Sequence, residues 1–454
     1  MSKDGLQKGA MFMAGLTLLQ SLRVALTGAK FALDRFKIPQ QYASSFINMV
    51  HNPMELATFT GMAIVTSIAL LTDGSNGSFK EFFKYLAIFT NIALCCSFIL
   101  LLIAFTSGGQ MGNLTFYYWT IVFGSFIYGL NVAAVMTVGS DNASLFNMGI
   151  PISGIQVCIY YYIFTKLAEW SNFSNVSYWI IFWQLIIAIL ISAASAVVWA
   201  IGQADGGKSD GQPGAGAVSP IFMGMVGMGG IYAFYPAIAP YKLTDVGTGY
   251  TIDLVVLFIS AVPGIIIAIL CLCNNDPKNG IGPNQEWTNE KSGTGWNFAW
   301  IMAFPHILAM FSCLYVLHHP DSEIASTVKS SGALVGVITV TLKFCEESLK
   351  AVSYAGGGAY GGTISSLNTF TSQFLMIVLA FTGDGYLKTY SKYENDKDKW
   401  PTEHCGFFKS LGYWIGNGVS EACKSVKSSF TKNVRCKVLG KSEALLIVYA
   451  DEEF

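Results

Sequence analysis

The stretch YWIIFWQLIIAILISAASAVVWAIG fills positions 178–202, and DGGKSDGQPGAG follows at 205–216. The first carries no Asp, Glu, Lys or Arg. As a helix rising 1.5 Å per residue it is long enough to cross a hydrocarbon layer of about 30 Å. The second is rich in Gly, with Ser and Pro between, a composition that holds no packed element and behaves as a flexible linker. The junction therefore reads as the end of a membrane span followed by the best internal boundary in the chain.

Working outward, the same pattern of apolar runs between polar loops repeats on both sides. Five further spans precede this one, at 9–33, 43–71, 84–106, 116–139 and 144–168, and five follow the linker, at 220–241, 250–273, 296–317, 326–346 and 360–383. The tenth is the weakest, because its apolar core runs only from Gly332 to Leu342, so a re-entrant or interfacial segment is the alternative. The expected fold is an all-α integral membrane protein, a polytopic bundle of 10–11 transmembrane helices in a 6 + 5 arrangement. Its parts are an N-terminal six-helix bundle (1–202), a Gly-rich cytoplasmic linker (203–219), a C-terminal four- or five-helix bundle (220–383) and a polar C-terminal tail (384–454).

Composition points the same way. Of 454 residues 52% are hydrophobic and only 12% charged, about half the ~25% of an ordinary soluble domain. A membrane β-barrel would show segments of about ten residues alternating apolar and polar, which this chain lacks. The net charge of −1 gives no basic footprint for nucleic acid. The ten cysteines show neither disulfide nor metal spacing, and Cys95, Cys96, Cys158, Cys271, Cys273 and Cys313 fall in or beside apolar runs as small hydrophobes. The N-terminus, MSKDGLQKGA, lacks a cleavable signal pattern, leaving the first span as the insertion signal.

Orientation follows the distribution of Lys and Arg in short loops. With the N-terminus in the cytoplasm, Lys3, Lys8, Lys80, Lys84, Lys208, Lys278, Lys291, Lys343 and Lys350 lie inside, against Lys30, Arg35, Lys37, Lys166, Lys242 and Lys329 outside. The excess favours a cytoplasmic N-terminus. The sequons at Asn113, Asn172 and Asn175 then face out, while those at Asn76 and Asn142 face in. The plasma membrane is the expected location, with an organelle membrane as the alternative.

Polar groups inside a bilayer need a partner or water, so each is a functional candidate. Arg23, near the middle of the first span, is a contact for a polar or anionic solute, with Gln20 on the same helix face; otherwise the span ends early and Arg23 reaches to an interface. Asn131 and Gln156 both donate and accept, which suits the edge of a purine or pyrimidine, and interhelical hydrogen bonding is the structural alternative. Glu346 and Glu347, flanked by Lys343 and Lys350, read as a solvated helix; if the tenth span extends to Ser353, they enter the membrane as proton-linked groups. His306, after Pro305, is a gate or ligand, or a hydrogen-bonded structural histidine. Glycines at 224, 227, 229 and 230 favour close helix packing, with Pro236 and Pro240 able to bend the seventh span. No phosphate-binding loop, zinc signature or catalytic triad is present, so no enzymatic activity and no cofactor is expected.

A set of short motifs adds a resemblance. Gly129-Leu130, Gly139-Ser140, the run Met148 to Gly154, Tyr235-Pro236-Ala237 with Pro240 and Lys242, and Ala303-Phe304-Pro305 with Cys313 resemble the fourth, fifth, seventh and ninth spans of the equilibrative nucleoside transporter family. The chain is similar too to the multi-span Tpr-related membrane proteins of piroplasm parasites. The resemblance implies a major-facilitator-like bundle that moves nucleosides or nucleobases by alternating access. It adds Tyr235 and Trp300 to the binding candidates, the latter at the place of the family's arginine before the ninth-span motif. The family's Asp and Arg of the eighth span are absent, since this chain reads Phe258-Ile-Ser-Ala-Val-Pro-Gly264.

Two functions are thus in view. One is a facilitative or proton-coupled transporter of a small polar solute such as a nucleoside or nucleobase, its only other partner the lipid bilayer. The other is a non-transporting multi-span protein that kept the bundle and lost the site. A channel would need charged rings or a filter-like motif.

Overall fold

The computed structural model describes residues 3–25, 28–39, 42–72, 77–171, 173–203, 211, 213–273, 280–288, 292–394 and 399–439. Most of the Gly-rich linker, the sequons at Asn76 and Asn172, and the last fifteen or so residues of the tail lie outside the described residues.

Every element among the described residues is helical. In chain order they are α1 (Lys3–Leu18), α2 (Gln20–Ala25), α3 (Ala29–Arg35), α4 (Ala43–Leu71), α5 (Gly77–Thr106), α6 (Leu114–Gly139), α7 (Ala143–Ser171) and α8 (Val176–Gly202). Beyond the linker come α9 (Val218–Gly229), α10 (Ile231–Phe234), α11 (Val246–Ile259), α12 (Ala261–Cys273), α13 (Ala303–His318), α14 (Glu323–Ser330), α15 (Gly332–Gly358) and α16 (Gly362–Tyr390). The tail adds α17 (Phe407–Ser429) and α18 (Val434–Leu439).

Among the described residues eight helical segments are long and apolar enough to cross a membrane, and the pair α14 and α15, taken as one span, makes a ninth. One of the eight, Leu114–Ser171, holds both α6 and α7. Their neighbours show that the chain reverses between them. Asn131 meets Thr90 and Gly124 meets Ser97, while Ser195 meets Asn91 and Ile189 meets Cys95, so α6 and α8 both run against α5. Gln184 meets Gln20 and Gly202 meets Leu6, so α8 runs against α1 and α2. Gly15 meets Phe146 and Gln20 meets Gln156, so α7 runs parallel to α1. The described residues thus make ten crossings, eleven with the broken first one, α1 to α3. The chain is a multi-pass integral membrane protein.

Outward-facing side chains explain why water is excluded as the surrounding solvent. Phe82, Phe89, Ile92, Ile99 and Ile103 on α5, and Trp183, Leu190, Val197 and Ile201 on α8, are exposed in register along their helices, a surface that only lipid covers. Inside, small residues set the crossings. A methyl group on Gly15 would sit 2.0 Å from the Phe146 carbonyl oxygen, and one on Gly129 would sit 2.0 Å from that of Thr58. These helices pack backbone to backbone, as membrane helices without a hydrophobic driving force must.

Helix ends are fixed by local chemistry. Asn113 accepts from the Phe116 amide at the start of α6, and Asp245 accepts from Gly247 and Thr248 at the start of α11. Ser322 caps α14 and Ser331 caps α15, whose axes meet at 92°. The helix that follows is longer than its apolar core suggests, continuing through Lys343, Glu346, Glu347 and Lys350 to Gly358. At the far end of α3, Arg35 donates to the carbonyls of Phe105, Ser107 and Gln110, satisfying groups that the end of α5 leaves open.

The side on which α1 begins is called proximal here, and the side on which α3 ends distal. α15 ends and α16 begins proximally, and α16 ends distally. The tail then turns back: α17 rests on the distal half of α16, and α18 reaches α6.

A polar seam between the two groups of helices

The helices before the linker meet those after it along two contacts. Glu55, Phe59 and Thr66 of α4 face Gln373, Phe370 and Ser366 of α16, so these helices run antiparallel. Gly154 and Asn147 of α7 face Leu257 of α11 and Gly264 of α12. On the proximal side the backbones touch. A Cβ on Gly358 would fall 2.4 Å from the Ser140 oxygen and one on Gly362 1.9 Å from the Thr137 oxygen.

Midway along the first contact, the Gln373 amide donates to Glu55 Oε2 at 2.6 Å. Glu55 Oε1 lies 3.5 Å from His51 Nε2 one helical turn away. The His51 ring stands edge-on to Tyr232 of α10, with centroids 4.8 Å apart. Beside Glu55 is a cavity of about 10 Å³, lined by Leu18, Ser21, Leu22, Thr58, Ser125 and Tyr128 among others, with room for about one water. The seam is therefore polar but closed.

Arg23 completes it from α2. Its guanidinium packs against Gly154, where a Cβ would lie 3.0 Å from Nη2, and its Nε is buried without a hydrogen-bond partner among the described residues. Tyr128 of α6, Tyr232 of α10 and Tyr235 lie within electrostatic range of it. Tyr235 leads onward: it lies within electrostatic range of Asp253 of α11, which accepts from Tyr241 at 2.5 Å, and the Lys343 ammonium lies 5.7 Å from the Tyr235 ring. Lys343, half-buried, belongs to an ion quartet with the buried Glu346, Glu347 and Lys350. Glu346 bonds Lys343 and Lys350 (3.3 Å), and Glu347 bonds Lys350 (2.6 Å) and Lys343 (3.5 Å), all on one face of α15.

The residues singled out from the sequence fall into three groups. Gln20 and Gln156 are brought together at 3.1 Å, and Gln184 joins them by donating to Gln20 at 3.0 Å, a ladder of amides linking α2, α7 and α8. Arg23 and Tyr235 lie at the seam. The remaining ones lie apart from it. Asn131 donates to Thr90 at 3.0 Å between α6 and α5, Trp300 donates to Ser219 at 3.0 Å, and His306 bonds the Leu342 carbonyl at 3.1 Å through Nδ1. Glu55, His51, Asp253 and Gln373 were not among the candidates. The same rule that flagged Arg23, an ionisable group inside an apolar span, points to the first three.

No known family's sequence profile matches the chain, and no curated protein matches it. Solved structures do. A proton:xylose symporter of the major facilitator superfamily, XylE bound to 6-bromo-6-deoxy-D-glucose, aligns with a TM-score of 0.53 and 12% identity over 93% of this chain and 95% of that one. The human organic anion transporter MFSD10 (TETRAN) aligns with a TM-score of 0.50 and 8% identity over 94% of this chain and the whole of that one. This chain has a major-facilitator fold. Such identities establish shared architecture, and they do not single out the nucleoside transporters that the motifs resemble. Among the described residues no group of three or more His, Cys, Asp or Glu is arranged to hold a metal ion.

Proposed function

We propose that this protein is a membrane transporter that moves a small polar solute by alternating access, with its site on the seam formed by Arg23, Glu55, Tyr128, Tyr232, Tyr235 and Gln373. The observation that carries this reading is the Glu55–Gln373 contact, where a buried carboxylate and amide face each other from opposite groups of helices. A charge at the centre of a spanning helix costs about 2.5–3.5 kcal/mol. A protein that needed only to hold its bundles together would do so more cheaply with apolar contacts. Arg23, whose Nε is buried without a hydrogen-bond partner among the described residues, supports the same reading.

The substrate class we propose is nucleosides or nucleobases. Arg, Glu, Gln and three Tyr hydroxyls supply donors and acceptors for a base edge, and tyrosine rings supply stacking surfaces; the motif resemblance selects this class among small polar solutes. Gln20 and Gln156 belong to the wall behind Arg23. Asn131, Trp300 and His306 would act by supporting the helices. For proton coupling, Glu55 is better suited than Glu346 and Glu347, because the latter two are matched by Lys343 and Lys350, whereas among the described residues Glu55 meets His51 and Gln373 and no lysine or arginine ion pair.

Uptake of radiolabelled nucleosides and nucleobases into proteoliposomes tests the proposal. Saturable exchange that is lost in Arg23→Ala and altered in Glu55→Gln supports it. Absence of saturable exchange for every small polar solute tried favours the non-transporting alternative.

A further inference from the structure

We propose that the tail helix α17 is bedded in the distal leaflet of the membrane, with the phospholipid surface as its partner. The tail is polar in composition, with eleven Lys and Arg against ten Asp and Glu over 384–454, and by apolarity α17 is not among the helices able to cross a bilayer. Its residues nevertheless sort onto three faces. One packs against α16: Trp414, Gly418, Ala422 and Ser425 are buried, a Cβ on Gly385 would come within 2.0 Å of the Gly418 oxygen, and Ser425 donates to Asp384 at 2.9 Å. The second carries Lys409, Ser420, Lys424 and Lys427, all exposed. The third carries Leu411, Ile415 and Val419, which recur every four residues and are 44%, 50% and 46% exposed.

An apolar stripe, a lysine-bearing polar face and low overall apolarity are the marks of a helix that lies in the headgroup region with its apolar side in the acyl boundary. The surroundings identify lipid as the occupant. α17 is anchored on a span whose Phe374 and Val378 face outward, and it ends at Phe430, which pairs with Trp119 at 6.5 Å between centroids. Trp119 is itself exposed beside Phe116 and Phe123 at the distal start of α6. The stripe is therefore continuous with the lipid-facing surface of two spans, at the level where tryptophan collects in membrane proteins. The polar face points the opposite way along the membrane normal, toward headgroups and water.

The test uses the full-length protein in phosphatidylcholine nanodiscs, with native cysteines replaced and an environment-sensitive fluorophore attached at Ile415→Cys, Val419→Cys, Lys409→Cys or Lys427→Cys. All four positions are exposed, so labelling leaves the packing of Trp414 and Ala422 intact. Blue-shifted emission and strong quenching by brominated lipid chains at 415 and 419, with neither at 409 and 427, is the expected result. Water-like emission at all four sites overturns the proposal. So does a blue shift at 415 and 419 without quenching by brominated lipid, which would mean that protein, such as a second copy of the chain, covers the stripe.

Discussion

Gln373 donates its side-chain amide to Glu55 at 2.6 Å across the seam between the two groups of helices. Both residues are buried, so opening the seam at this level breaks the bond and requires water or a solute to replace it.

Removing the donor should be felt at once. Gln373→Leu leaves a buried carboxylate short of a partner, a loss of about 1–3 kcal/mol. Glu55→Gln keeps a hydrogen-bonding group and should cost less. Thermal unfolding of the detergent-purified variants separates the two; equal destabilisation by both would argue against the contact as a directed hydrogen bond.

A wedge on the proximal side should shift the balance of states. Gly362→Val places atoms where the Thr137 backbone already lies, since a Cβ there would fall 1.9 Å from the Thr137 carbonyl oxygen, so the seam must part there. Alkylation of a cysteine introduced at Ser366, just inside this closure, is expected to accelerate several-fold over the same cysteine in the parent. Gly124→Ala, whose Cβ would lie an ordinary 3.5 Å from Ser97, serves as the control and should leave the rate unchanged.

Asp245 gives a pH dependence outside the membrane. Hydrogen bonds from Thr248, through its side chain and amide, and from the Gly247 amide hold its carboxyl below the ordinary value. A depressed folded-state pKa contributes stability that is fully present above the unfolded value, about 3.9, and is lost as pH falls through the folded value. Amide exchange at Gly247 and Thr248 should therefore be slower in the parent than in Asp245→Ala at neutral pH, with the difference vanishing at strongly acid pH. A difference that persists in acid would show that the cap acts without its charge.

The ion quartet on α15 should resist piecemeal change. Lys350→Met leaves Glu346 and Glu347 with Lys343 alone, and breaking a buried pair in this way costs about 3–5 kcal/mol. Replacing Glu347 by Gln together with Lys350→Met removes one charge of each sign and should recover most of that loss. Unfolding midpoints of the single and double variants decide the matter, and an additive double would contradict direct pairing.

How much of this was legible in the sequence follows from what each signal measures. Segment length and scarcity of charge report burial in lipid, so the stretch at 178–202 announced a membrane helix without ambiguity. α15 was read short because Lys343, Glu346, Glu347 and Lys350 each count against apolarity, although at spacings of three and four they neutralise one another. α17 gave no apolar run because its lipid-facing residues occupy one stripe only. At the site, Arg23 and Tyr235 were visible and Glu55 was overlooked, since two ionisable residues in a 29-residue helix scarcely alter its apolar character. That Gln373 faces Glu55 is a property of tertiary pairing, with the two 318 positions apart in the chain, and no local pattern encodes it.

The tail has a last consequence. Beyond α17 the chain crosses from one group of helices to the other: Tyr118 donates to the Ser429 carbonyl at 2.6 Å, Trp119 to that of Thr431 at 3.1 Å, Arg435 to that of Met111 at 3.3 Å, and Val434 and Val438 are buried against the first group. If distal opening separates α6 from α16, these bonds exist in one state and not in the other. By reciprocity, anything that holds the distal side open must loosen the tail by the same free energy. Protease sensitivity near residue 431 then becomes a gauge of solute occupancy, readable without measuring transport.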